Sequence, residues 1–113
     1  MEALSQWGCD IPSALERFDG DEELYVECLE IFANDKNFED LPQKLQEKDY
    51  EGAFNAAHSL KGVAANLSLG PLLEAISLIS DKLKAGDYAV IEQNYPKLVE
   101  AKKKYDEIVK AGK

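Results

Sequence analysis

The sequence is poor in the side chains that chemistry at a protein centre usually needs. It has one histidine, one methionine, one tryptophan and two cysteines. Cys9 and Cys28 lack the short paired spacing of a zinc site, and two thiols make no disulfide framework. One histidine with no Glu-x-x-His motif argues against a metal-dependent four-helix enzyme. There is no glycine-rich nucleotide loop, so no autokinase activity is expected. No apolar run approaches the ~20 residues of a membrane span, and Met1-Glu2-Ala3-Leu4 lacks the basic start of a targeting signal. A cytoplasmic location is the expectation. At 113 residues, one domain over 1–113 is expected. Met1 and the bundle-sized length lean toward a free-standing chain.

Positive charge is also scarce. Lys and Arg number 13 against 22 Asp and Glu, a net charge of −9. Such a chain repels phosphate-rich surfaces, which excludes nucleic acid and anionic membrane as natural partners. The imbalance is uneven. Residues 1–49 hold 14 acidic and 4 basic side chains, whereas residues 50–113 hold 8 and 9. The acidic half is either a solvated face or a surface that steers a partner.

What is present is helical periodicity, with no alternating strand pattern. Asp10 and Pro12 mark a short helix to about Phe18, and Asp19-Gly20 breaks it. Asp21 is a good N-cap for a helix carrying Leu24, Val26, Cys28, Leu29, Ile31 and Phe32. That helix is expected to reach Lys48, with a bend between Asn34 and Pro42 because proline removes a backbone donor. Cys28 reads as a small buried hydrophobe. Asp49 should cap a helix from Tyr50 to about Leu67, and Ser68 to Pro71 reads as a turn. Leu72, Leu73, Ile76, Ile79 and Leu83 form the next stripe, ending at Gly86. Asp87 should cap a last region kinked or split at Pro96, with Leu98, Val99, Tyr105, Ile108 and Val109 buried, Lys102-Lys103-Lys104 in solvent and the Gly112-Lys113 end frayed. Four substantial amphipathic helices with short connections imply an all-α, antiparallel up-down four-helix bundle with a short extra N-terminal helix.

The segment Tyr50–Leu67 carries the chemistry. Ala53, Ala57, Leu60, Ala64 and Leu67 make a seam spaced 4, 3, 4, 3. At 100° per residue His58 lies roughly 140° from that seam, toward solvent. A structural histidine is usually buried and hydrogen-bonded, so this face favours function. Phe54 sits one turn earlier. Lys61 is three residues later, on the same side, although it is also readable as an ordinary solvated lysine. Gly62 and Ala65 continue the exposed face. Glycine inside a helix costs about 1 kcal/mol relative to alanine. Because Gly62 points away from the seam, it is better explained by a surface kept flat for a partner. Free imidazole is substantially neutral near pH 7 and can act as a nucleophile. Lys61 would offer charge to incoming phosphoryl oxygens.

The run Ala57-His58-Ser59-Leu60-Lys61-Gly62-Val63-Ala64-Ala65-Asn66-Leu67 resembles the phosphoacceptor motif of bacterial histidine phosphotransfer (HPt) domains. Ile11 to Phe18, Gly20 to Tyr25 and Leu45 to Tyr50 resemble further parts of that family, over roughly residues 8–87. The resemblance implies that His58 is phosphorylated, that Lys61 contacts the phosphoryl group and that Gly62 gives clearance to a docking receiver domain. It implies no cofactor or metal in this chain, because the divalent metal belongs to the receiver. The implied partners are receiver domains of a hybrid sensor kinase and a response regulator, met by a monomer through Phe54, Gly62 and Ala65, with Ile11 and Leu15 added. The sequence departs from the family at Ser68, often glycine, at Leu69, often alanine, and at Ser80, which falls where Gln or Glu often faces the histidine. Ser80 is the feature that favours the alternative, a non-catalytic helical adaptor that binds receivers without phosphoryl transfer.

Overall fold

A computed structural model describes residues 2–111; the expected fraying at Gly112-Lys113 lies outside the described residues. Among these there are helices and no strands. The chain forms α1 (Glu2–Trp7), α2 (Ile11–Arg17), α3 (Glu22–Ala33), α4 (Asn37–Gln46), α5 (Tyr50–Asn66), α6 (Gly70–Ala85), a 3₁₀ turn at Tyr88–Val90 and α7 (Ile91–Ala111). Helix α5 packs between α4 and α6, α6 packs on α7, and α3 closes the ring against α7. This is the expected helical bundle, with α3 and α4 together forming one bent member. Two short helices precede it, not one.

The starts follow the expected chemistry. The Asp10, Asp21 and Asp49 carboxylates accept from the N–H groups of Ser13, Leu24 and Gly52, at 3.2, 3.0 and 3.0 Å. Each satisfies a donor that the first helical turn leaves open. Asp87 differs: its side chain makes no capping bond and lies 4.0 Å from Lys82 Nζ. The intervening 3₁₀ turn separates it from α7.

The first break falls at the upstream end of the expected Asn34–Pro42 bend, and neither internal proline is itself a point of interruption. The first long helix is interrupted at Asn34–Lys36 and runs through Pro42, and α7 runs through Pro96. In each helix the proline is the sixth residue. The interruption is displaced upstream, where polar side chains can satisfy the freed backbone. The Asp35 carboxylate accepts from Asn37 N–H at 2.9 Å, and Lys102 donates to the Ala33 carbonyl at 3.0 Å. Lys102 also pairs with Asp106 at 2.6 Å and lies 4.6 Å above the Phe38 ring. Its side chain is only 18 % exposed, so the lysine run is not uniformly solvated. A cation on the last carbonyls of α3 is favoured by the helix dipole.

The core seam of α3 is Tyr25, Leu29 and Phe32. Leu24, Val26 and Ile31 are exposed, as is Val99 on α7, and Cys28 is only half-buried while Cys9 is buried. The 4, 3 spacing of the tyrosine, leucine and phenylalanine selects one face, and Leu24 and Ile31 fall outside it. Tyr25 and Tyr105 are fully buried, and their hydroxyls donate to the carbonyls of Leu67 at 2.7 Å and Leu29 at 2.6 Å. Burial pushes both phenols well above the ordinary tyrosine range.

Candidate functional site

The site is built on α5. Its buried side is Ala53, Ala56, Ala57, Leu60 and Ala64, which leaves His58, Ser59, Gly62 and Ala65 exposed. Small residues dominate the seam, so α5 can lie close to both neighbours. The helix is thereby held rigidly by packing rather than by its own propensity.

Both ends of α5 are fastened. Asp49 holds the start. At the far end Leu69 N–H donates to the Ala64 carbonyl and Ser68 N–H to that of Ala65, at 3.0 and 3.1 Å. This pair is a Schellman closure, and it puts Ser68 at φ 56°, in the left-handed region. Glycine is the low-cost residue there, which gives a physical reason for the family's frequent glycine. Here the serine hydroxyl accepts a 2.6 Å bond from Arg17, which also donates to the Asn66 carbonyl at 3.1 Å. Tyr25 bonds the Leu67 carbonyl beside it. Arg17 and Tyr25 thus tie α2 and α3 to the end of the histidine helix. Sequence reasoning gave neither a role, because both act across more than forty residues of chain.

Around His58 the geometry is open. The Phe54 ring, half-buried, stacks on the imidazole with centroids 5.6 Å apart and planes at 21°. A methyl group built on Gly62 would meet nothing within 4 Å, so no internal packing requires glycine there. The contrast is Gly52 on the same helix, where it would lie 2.6 Å from Asp49 Oδ2. Lys61 shares the histidine's side of the helix, but its ammonium is engaged by Asp81 of α6, 3.5 Å away.

Other expected site residues fall differently. Ile11 is 8 % exposed and belongs to the core, so it packs within the bundle rather than presenting a docking surface; Leu15 is half-buried against that core. Ser80 is 3 % exposed within the α6 seam, and it is the next residue, Asp81, that reaches the histidine's helix. A groove of about 620 Å³ lies between α4 and α7, lined by Phe38, Leu41, Leu98 and Val99 and by no residue of α5. The imidazole stands instead on an exposed helix face, which suits a macromolecular surface better than a small ligand. Among the described residues no group of three or more His, Cys, Asp or Glu comes together to hold a metal, and no helix is long and apolar enough to cross a membrane.

A family model described as Hpt domain matches residues 27–109. The match contains α4, α5 and α6 and most of α3 and α7, and it leaves α1 and α2 outside. It therefore extends further into the last helix than the motif resemblance did, and starts later. No curated protein and no solved structure matches the chain.

Proposed function

The chain belongs to the Hpt domain family, and from that premise we propose that it is a single phosphocarrier domain, residues 1–113, in a multi-step relay. His58 accepts a phosphoryl group from a receiver-domain aspartate and passes it to a second receiver. The observation that carries this reading is the open ground around His58: an exposed imidazole, with the Phe54 ring 5.6 Å away, beside a helical glycine that no internal contact requires.

The step is an in-line displacement. The imidazole nitrogen bonds to phosphorus as the P–O bond to the donor carboxylate breaks, and the carboxylate leaves with the bonding pair. Lys61 can hold the transferred oxygens once they stand on His58. The divalent metal for transfer is supplied by the receiver, and this chain contributes nucleophile, cation and clearance. It carries no autokinase machinery, acts as a monomer and works in the cytoplasm. The docking surface is Phe54, Gly62 and Ala65 around His58, with Leu15 at its margin.

The test is incubation with a labelled, phosphorylated receiver, following acid-labile label on this chain. Label is expected on the wild type and absent from His58→Gln. Label that persists on the variant, or receiver binding with no phosphohistidine at all, overturns the reading; the second result identifies the adaptor instead.

A further inference from the structure

We infer that Asp81 is a positioning residue that holds Lys61 in the resting protein and competes with the phosphoryl group for it after transfer. The inference deepens the phosphocarrier reading of His58 and rests on it.

Lys61 lies three residues after His58 on α5, and Asp81 lies on α6, which returns alongside after the short turn at Leu67–Leu69. Asp81 Oδ1 stands 3.5 Å from Lys61 Nζ. The neighbouring cation on α6, Lys82, is turned toward Asp87 at 4.0 Å and does not share this carboxylate. The Lys61 and Asp81 side chains are 39 % and 68 % exposed, so the pair sits in water. An ion pair of that kind is weak and exchanges readily. A dianionic phosphoryl group on the adjacent imidazole is a stronger partner for the same ammonium.

The consequence is for the lifetime of phosphohistidine. When water takes the group, its oxygen bonds to phosphorus as the P–N bond breaks. The imidazole keeps the bonding pair and takes the proton that water gives up. The transition state is loose and metaphosphate-like; a dianionic phosphoryl group moves in it toward monoanionic metaphosphate, so its oxygens carry less charge than in the ground state. A cation on those oxygens therefore protects the phosphohistidine. Asp81 draws part of that cation away and adds a like charge nearby, so it shortens the lifetime and favours onward transfer.

The experiment labels the intact chain with phosphoramidate, a small donor that needs no partner, and follows phosphohistidine decay by phosphorus NMR. Asp81→Asn should lengthen the lifetime about two- to fivefold, the size of effect that an exposed pair carries. Asp81→Glu should restore the wild-type value. In a Lys61→Gln background Asp81→Asn should change the lifetime much less, a dependence that a merely structural role would not show. Equal lifetimes for wild type and Asp81→Asn, or an equal change with and without Lys61, overturn the inference and leave the phosphocarrier reading standing. No label on wild-type His58 from phosphoramidate or from a phosphorylated receiver overturns both.

Discussion

Replacing Gly62 separates what the fold wants from what the site wants. A methyl group at this position meets nothing within 4 Å, and the residue lies in the interior of α5. Gly62→Ala should therefore gain the helix propensity that glycine forfeits, about 1 kcal/mol. For a chain of this size that raises the melting temperature by about 4 °C. Gly52 supplies the control. Alanine there gains the same propensity but drives its methyl into the Asp49 carboxylate, which caps the helix. Losing that cap costs about 0.5–2 kcal/mol, so Gly52→Ala should be less stable than Gly62→Ala. The assay is urea and thermal unfolding of both variants, read by circular dichroism. A larger side chain extends the argument to function. Gly62→Leu should fold at least as stably as the wild type, yet slow phosphoryl transfer from a receiver by on the order of tenfold, since ~1.4 kcal/mol of lost docking is a factor of ten. A destabilised Gly62→Ala would show that something packs on this face. Wild-type transfer by Gly62→Leu would show that the glycine does not serve clearance.

Three further outcomes follow from the burial pattern. Tyr25→Phe leaves the Leu67 carbonyl at the end of α5 without its 2.7 Å donor, and should cost about 1–3 kcal/mol in unfolding free energy; an unchanged urea midpoint would show that water replaces the hydroxyl. Burial raises the Cys9 thiol from 9.0 to about 11, partly offset by a backbone hydrogen bond from Gly70. The folded state thus favours the neutral thiol, and its contribution is complete below pH 9 and lost as pH climbs toward about 11. Unfolding midpoints should fall across that window, and less so in Cys9→Ala. A thiol reagent at pH 8 should reach half-buried Cys28 first and Cys9 only on unfolding.

Much of the local architecture was readable from residue order because its causes are local. Three aspartates at helix starts, the seam of α5 and the αL glycine at 86 act within a turn or two of chain. The exposed placement of His58 and Gly62 followed from the same 100° step, since a helix with one buried seam must turn its other face outward. Proline positions were less informative. Pro42 and Pro96 forbid a particular hydrogen bond, but where the chain breaks depends on which side chains can cap the loose ends, and at Asn34–Lys36 one of them comes from α7.

The sequence by itself determined an all-helical chain, its helix starts and a lone histidine on an open face, because each depends on periodicity or on capping between near neighbours. Only the tertiary structure decided how that helix is held and what surrounds its cation. Arg17 and Tyr25 reach the end of α5 across more than forty residues, and Asp81, not Ser80, meets Lys61. Which side chain crosses from one helix to the next depends on how the helices are rotated against each other. A shift of one residue turns a buried serine into an exposed carboxylate, and no single helix records that rotation.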